Sequence, residues 1–152
     1  MNDEKRFARH RRLGKGALRG LLSTIYFQGL AKVAFAFEKL IVYQKAITFA
    51  DAACATTEAF PRGYGFLADQ LNRASVSIAA NIAEGNGRFT IPDRKNFFMI
   101  ARGSVQECVA LMEIALRRKL ITVEAHVRLR SDLEEIAKML SGLINGLENR
   151  NA

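Results

Sequence analysis

The sequence predicts an all-α protein, an up-down-up-down antiparallel four-helix bundle over residues 37–148 that follows an N-terminal arm. Apolar residues recur at alternating steps of three and four in four successive stretches, which is the spacing of one buried helix face. Short breaks separate the stretches, and none of the stretches has the apolar–polar alternation of a β-strand. Helices of similar length joined by such short loops pack antiparallel to their neighbours.

The arm, residues 1–36, runs from a basic stretch into an apolar one and has three interpretations. The order imitates a secretory signal that ends in Ala34-Phe35-Ala36, but Lys32 and several polar residues interrupt the apolar run. The run is too short to span a bilayer, and we expect no membrane association. We rank an extension or flexible arm first, a functional basic arm that orders on an anionic surface second, and a cleaved signal last.

The first helix is predicted from residue 37 to the Phe60-Pro61 pair, because a proline pushes the residue before it out of the α region. Its predicted apolar seam consists of Leu40, Tyr43, Ile47, Ala50 and Cys54.

The second helix is predicted from about Tyr64 to Glu84. Gly85 and Gly87 are expected to close it in left-handed conformations, which glycine adopts without a Cβ penalty. Its predicted seam consists of Leu67, Leu71, Ala74, Ile78 and Ile82.

The third helix is predicted to begin at a capping box formed by Thr90 and Asp93, with Pro92 tolerated in the first turn. The fourth begins near Thr122 and runs to residue 148, which leaves residues 149–152 as a tail. The predicted seams are Phe97, Ala101, Ser104, Cys108, Leu111 and Ala115 in the third helix, and Leu129, Leu133, Ile136, Leu140, Leu143 and Leu147 in the fourth.

The basic charge of the chain is concentrated in the arm. The net charge is +8, and residues 1–34 carry eight Lys or Arg against two Asp or Glu. The remaining residues contribute only +2, so the bundle itself is nearly balanced. An inference from overall charge to nucleic-acid binding therefore depends on whether the arm belongs to the working protein.

Residue types argue against catalytic, cofactor and metal sites. His10 and His126 have no nucleophile or acid at a fixed spacing, and no set of zinc or di-iron ligands is present. Cys54 and Cys108 lie on apolar seams without a CxxC motif, which favours two reduced cysteines in a cytoplasmic protein over a disulfide. We predict that the protein is not an enzyme and needs no cofactor.

A polar line on the second helix is the first candidate site. It consists of Gln70, Arg73, Ser77, Asn81 and Glu84, and Ser104 and Glu107 of the third helix join it. Glu107 has small and apolar helical neighbours, so we expect a desolvated carboxylate that pairs with Arg73, Ser77 or Asn81. Glu84 is expected to pair with Arg88 or a neighbouring subunit. We favour a network that fixes helix register or a subunit contact over an acid–base or ligand site.

A basic patch on the third and fourth helices is the second candidate. Its members are Lys95, Arg102, Arg117, Arg118, Lys119, Arg128 and Arg130. Two functions explain the patch equally well. The cations could complement helix dipoles on a solvated face, or they could contact the phosphates of a nucleic acid. Clustered aromatic residues that could stack on bases are missing from the patch in the sequence, so sequence-specific RNA recognition is not expected.

Residues 37 to about 120 resemble the rRNA intervening-sequence protein family, also called the four-helix bundle protein family. The resemblance is carried by FEKLIVYQKA at 37–46, Phe60-Pro61, QLNRASVSIAANIAEGNGR at 70–88 and IARGSVQE at 100–107. Residues of this chain that stand on the family motifs are Arg73, Asn81, Glu84, Gly85, Ser104 and Glu107. The fourth helix matches in pattern only.

The resemblance implies a four-helix bundle that assembles into a homopentamer, in a bacterial family found in inserts of large-subunit rRNA genes. It also implies kinship with accessory proteins of diversity-generating retroelements, which resemble basic pentameric barrels that bind nucleic acid and a reverse transcriptase. RNA or DNA, and a reverse transcriptase or another protein, are thus the candidate partners. We predict a non-catalytic homo-oligomeric module that binds nucleic acid through phosphates, with a protein-interaction scaffold as the alternative.

Overall fold

The computed structural model describes residues 35–149 and confirms the predicted fold class. The α-helices are α1 (Ile41–Thr57), α2 (Gly65–Gly87), α3 (Ile91–Arg117) and α4 (Val123–Glu148), and two 3-10 turns occur at Ala36–Lys39 and Arg62–Tyr64. Each α-helix packs against the next one along the chain, and α1 also packs against α4. The four helices therefore enclose a single core, and residues 35–149 contain no β-strand. The predicted arm lies outside the described residues except for its last two positions.

The core confirms the predicted seam of α2 completely and corrects that of α1. Every predicted seam residue of α2 is buried. In α1, Ile47 is 46% exposed, whereas Phe49 is 1% exposed and fills the core. The buried face of α1 consists largely of alanines, namely Ala46, Ala50 and Ala53. Alanine is also common on exposed helix faces, so these residues do not mark the buried face in the sequence as Leu and Ile do.

The seams of α3 and α4 are shifted by one residue in places. Phe97 and Leu111 are only half-buried, and Phe98 and Met112 take the core positions beside them. Leu143 of α4 is also half-buried, and Ile144 is buried instead. A helix turns once in 3.6 residues, so a seam counted in steps of three and four drifts around the helix.

The predicted glycine stop after α2 is wrong in its mechanism. The helix continues through Gly85 to Gly87, and no glycine within residues 35–149 has a positive φ. Gly85 is buried where α2 meets α3: a Cβ atom there would lie 2.9 Å from Cε1 of Phe98 and 3.0 Å from Cβ of Phe97. Its missing side chain permits the close approach of two helices.

Hydroxyl caps begin the last two helices. The Asp93 amide donates to the Thr90 hydroxyl at 3.2 Å, which confirms the predicted cap, and the Ala125 amide donates to the Thr122 hydroxyl at 3.1 Å. The first helix begins later than predicted, since the Ala36–Lys39 turn and an extended Leu40 precede Ile41.

Up-down topology brings the α1–α2 and α3–α4 connections to one end of the bundle and the α2–α3 connection to the opposite end. Of the helices in residues 35–149, none has a stretch apolar enough to cross a bilayer.

Candidate nucleic-acid interface

The middle of the predicted polar line forms a hydrogen-bonded cluster between α2 and α3, which we call the hydroxyl cluster (Ser77, Asn81 and Ser104). The Ser77 and Ser104 hydroxyl oxygens lie 2.9 Å apart. Asn81 donates from Nδ2 to the Ser77 carbonyl at 2.8 Å and to its hydroxyl at 3.0 Å. Ser104 also donates to the Ile100 carbonyl at 3.2 Å. Every member therefore has a partner inside the bundle.

The rest of the polar line pairs within one helix. Arg73 donates to the Gln70 side-chain oxygen at 2.8 Å, and Glu84 forms an ion pair with Arg88, one of its two expected partners. The guanidinium of Arg88 also lies 4.5 Å from the centre of the Phe97 ring.

Glu107 differs from the prediction. Its side chain is exposed in the single chain, and Arg73, Ser77 and Asn81 bond to other groups. The neighbouring positions on its face of α3 are themselves open to solvent, with Ile100 44% and Ile114 46% exposed. Ile100, Glu107 and Ile114 are spaced by seven residues, so they share one face of the helix.

The cysteines are unpaired, and Cys108 is fully buried while Cys54 is half-buried. Burial, with a smaller contribution from the charge of Glu107, raises the pKa of the Cys108 thiol to about 12. The thiol therefore stays protonated near neutral pH and is a poor nucleophile.

Three of the seven predicted phosphate contacts are neutralised by carboxylates of the same chain. Lys95 pairs with Glu148 at 2.5 Å, and its position at the start of α3 places it at the opposite end of the bundle. Arg117 pairs with Glu113 at 2.8 Å, and Arg130 pairs with Glu134 at 3.2 Å.

The other four cations form no ion pair with residues 35–149. Arg102 is half-buried in the middle of α3, and Arg128 is exposed on α4, more than a turn from its start. Arg118 and Lys119 are exposed in the α3–α4 connection. The structure therefore does not gather the predicted patch into one site, and only Arg118 and Lys119 lie side by side at the end of the bundle.

The α1–α2 connection and the first turn of α2 complete this end, which we call the basic end (Arg62, Tyr64, Phe66, Arg118 and Lys119). The Arg118 guanidinium lies 5.5 Å from the centre of the Tyr64 ring. A groove of about 440 Å³ lies beside it, lined by Gly63, Tyr64, Phe66, Leu67, Ile114 and Arg118. The predicted patch itself contains no aromatic residue, and the rings beside Arg118 come from a different part of the chain.

Lys119 has a backbone conformation that favours glycine. Its φ of 57° is the one positive φ of a non-glycine residue within the described range. The Leu120 amide donates to the Ala115 carbonyl and the Lys119 amide to the Leu116 carbonyl, both at 2.9 Å. These two bonds make a Schellman motif, in which glycine usually occupies the position of Lys119.

A histidine–glutamate pair lies close to the same connection. His126 is buried, and its Nε2 atom lies 3.6 Å from Oε2 of Glu113, too far for a hydrogen bond. The hydrogen bond from Arg117 lowers the pKa of Glu113, and the charges of Arg117, His126 and Arg130 act in the same direction. Glu113 therefore remains a carboxylate well below neutral pH.

Comparison with known proteins places the chain in a family. The sequence profile of the 23S rRNA-intervening sequence protein family matches residues 38–142. The chain belongs to this family. As a member of the 23S rRNA-intervening sequence proteins, it is similar to a protein with unknown function from the S23 ribosomal protein family of Bacteroides thetaiotaomicron VPI-5482. That crystal structure matches with a TM-score of 0.65 and 26% identity, over 68% of this chain and 98% of the other. The comparison with curated proteins gives no match.

The matched region contains both the hydroxyl cluster and the basic end. Sequence reasoning missed Arg62, Tyr64 and Phe66 as site residues. They could have been predicted from the topology, since an up-down bundle brings the α1–α2 connection to the end where Arg118 and Lys119 lie.

Proposed function

We propose that the protein is a non-catalytic, homo-oligomeric module that binds nucleic acid through phosphate contacts at the basic end. The observation that carries the proposal is the pair Arg118 and Lys119, two exposed cations without a carboxylate partner in residues 35–149. Such side chains release counterions when they meet a phosphate and do not first have to break an ion pair.

The backbone of Lys119 supports the same conclusion. A non-glycine residue in the left-handed region costs of order 1 kcal/mol, and glycine at this position would avoid that cost. A lysine there places a charge at the tip of the connection at the expense of stability, which is typical of functional positions.

Homo-oligomerisation is supported by the face of α3 formed by Ile100, Glu107 and Ile114. Two large apolar side chains flank a carboxylate that forms no ion pair within the described residues. A second copy that covered this face would bury the isoleucines and could pair Glu107 with a cation. The family resemblance makes a homopentamer the specific proposal, and relation to the accessory proteins of diversity-generating retroelements belongs to the same proposal.

The non-catalytic part of the proposal rests on the groups that would have to react. Asn81 is bonded to Ser77, Glu84 pairs with Arg88, and burial keeps the thiol of Cys108 protonated. None of these groups is poised as an acid, base or nucleophile.

The test is a fluorescence-anisotropy titration of labelled RNA and DNA of unrelated sequences over a range of salt concentrations. The wild type is expected to bind all of them, and the logarithm of the affinity should fall linearly with the logarithm of the salt concentration. A double variant, Arg118→Gln with Lys119→Gln, should make that slope shallower by the contribution of about two phosphate contacts.

The matched control is Lys39→Gln with Lys138→Gln, which also removes two positive charges but at positions away from the basic end. Both lysines are exposed; Lys39 precedes α1 at the opposite end, and Lys138 lies more than four turns into α4. This control should keep the wild-type slope. Absence of binding in low salt, or equal losses in both double variants, would refute the proposal.

A protein-interaction scaffold is the second candidate, and the exposed apolar face of α3 favours it. In that case the Ile100–Ile114 face would receive a different protein, such as a reverse transcriptase, and nucleic acid would not bind. The anisotropy titration distinguishes the two, because a scaffold of this kind would bind no nucleic acid even in low salt. Light scattering tests the homo-oligomer itself, whose mass should be several times that of the 16.9 kDa chain.

A further inference from the structure

We infer that the groove at the basic end takes an unstacked base, so that the preferred ligand is single-stranded nucleic acid. This inference rests on the proposed function and names the form of nucleic acid that the basic end selects.

The groove has room for a flat apolar group beside a phosphate. Its volume of about 440 Å³ falls within the range of small-molecule sites, about 300–1,000 Å³. Phe66, which is 66% exposed, supplies apolar surface, while Arg118 supplies the charge. A nucleotide has the complementary layout, an apolar base face joined to an anionic phosphate.

Phe66 is the ring that remains available for stacking. Its side chain is 66% exposed, and its centre lies 6.4 Å from that of Tyr64 with the planes tilted by 34°, so the two rings do not stack face to face. Tyr64 instead has the Arg118 guanidinium over its ring. A base on Phe66 would therefore add a contact without displacing one.

Other aromatic residues in the described range lack this combination. Phe35 stacks on Phe37, which in turn contacts the edge of Tyr43. Phe89 is fully exposed, but it lies at the opposite end next to Arg88, whose charge is paired with Glu84. At the basic end the exposed Phe66 ring lines the same groove as Arg118, a cation without a carboxylate partner in residues 35–149.

The form of the ligand follows from the position of the ring. A duplex presents phosphates on its outside and hides the faces of its bases in the stack, so it could use Arg118 and Lys119 but not Phe66. A single strand can use all three, and stacking on an aromatic ring tolerates every base. The basic end should therefore prefer single strands without reading a sequence.

The experiment compares a labelled oligo-dT strand with the same strand paired to oligo-dA, and adds oligo-U as a second single strand. We expect wild type to bind the single strands more tightly than the duplex. Phe66→Ala should weaken single-strand binding about 5- to 100-fold and leave duplex binding and its salt slope unchanged. Phe66→Tyr should keep the preference because it keeps the ring, and Phe89→Ala is the matched control that should change nothing.

A 2-aminopurine placed in the oligo-dT strand gives a direct readout of stacking. Its fluorescence should be quenched on binding to wild type and to Phe66→Tyr, and much less on saturation of Phe66→Ala. Equal effects of Phe66→Ala on single strand and duplex, or no effect on either, would overturn the inference while leaving the phosphate proposal intact. Failure of wild type to bind any of the three ligands would refute the phosphate proposal itself.

Light scattering on each variant separates base stacking from a subunit contact. Phe66→Ala should keep the wild-type mass. A change of mass would show that Phe66 packs against another copy of the chain, and the inference would then be wrong.

Discussion

The hydroxyl cluster and the basic end are both polar regions of one bundle, and they differ in what satisfies their side chains. In the hydroxyl cluster, Ser77 and Ser104 bond to each other across α2 and α3, and Asn81 bonds back to Ser77. At the basic end, Arg118 and Lys119 have no carboxylate partner within residues 35–149. Polar groups that bond to one another inside the fold specify packing, whereas charges without a partner are available to a ligand.

The comparison also separates stability from binding. A change near the hydroxyl cluster should alter the free energy of unfolding and leave salt-dependent binding unchanged. A change at the basic end should alter binding and have little or an opposite effect on stability. Four predictions test this separation, in order of decreasing expected effect.

The largest effect is expected from Gly85→Ala at the α2–α3 contact. The new methyl group would meet the Phe98 ring, which is 2% exposed and cannot turn aside, so we expect a loss of about 1–3 kcal/mol of unfolding free energy. Urea unfolding followed by circular dichroism measures it. Gly142→Ala in α4 is the control, since nothing lies within 4 Å of its new methyl group and a helical alanine should stabilise slightly. Equal stability of wild type and Gly85→Ala would contradict the close approach of α2 and α3 at this glycine.

Ser77→Ala should lower the unfolding free energy by a smaller amount, about 1 kcal/mol. The substitution removes the hydrogen bond to Ser104 and one acceptor of Asn81. In a double-mutant cycle with Ser104→Ala, the two losses should not add, because each single variant already breaks the shared bond. Denaturant titrations of the four proteins give the coupling energy. Fully additive losses would show that the two hydroxyls do not interact, and weakened nucleic-acid binding by either variant would remove the contrast with the basic end.

Lys119→Gly should move stability and binding in opposite directions. Glycine relieves the left-handed backbone, which we expect to add about 0.5–1 kcal/mol of unfolding free energy, while the lost charge should reduce the salt slope by about one contact. Thermal melts and anisotropy titrations measure the two effects. Lys119→Ala is the control, because it removes the charge but keeps a side chain on the strained backbone, so only binding should fall. A drop in stability with Lys119→Gly would contradict the backbone argument.

The smallest effect is a pH dependence from Glu113. Because the pKa of this carboxyl is lowered in the folded protein, its contribution to stability is present above its ordinary pKa of 4.5 and disappears as the pH falls through the folded value. Glu113→Gln should therefore lower the melting temperature slightly at neutral pH, and the difference should shrink on acidification. The effect is small because the pair with Arg117 is exposed to solvent. A difference that stays constant from neutral to acidic pH would exclude this origin.

The fold could be predicted from the sequence where the residue types contrast strongly along the helix. The α2 seam is Leu and Ile in a background of small and polar residues, and all of it is buried. In α1 the buried face is largely alanine, so Ile47 was a misleading marker and Phe49 was missed. Gly85 could not be interpreted correctly from the sequence, since a helix stop and a close helix contact both favour glycine there.

The candidate site was only half predictable. Arg118 and Lys119 stand out in the sequence as a cationic pair at the end of α3. Tyr64 and Phe66 lie at the start of α2, about fifty residues earlier, and only the antiparallel arrangement of helices brings them beside Arg118. The exposure of Glu107 could not be predicted either. Its helical neighbours are small or apolar, which suggested a buried face, but residues of these types also occur on exposed faces such as this one.

Ultraviolet cross-linking of the full-length protein to a single-stranded nucleic acid, followed by mass spectrometry, locates the binding surface. If the basic end binds the strand, cross-linked peptides should come from residues 58–67 and 114–122, which span its two connections. Cross-links confined to the helical segments at 70–88 and 100–107 would show instead that the polar line is the binding surface. Cross-links confined to residues 1–34 would assign binding to the arm, and either result would rule out binding at the basic end.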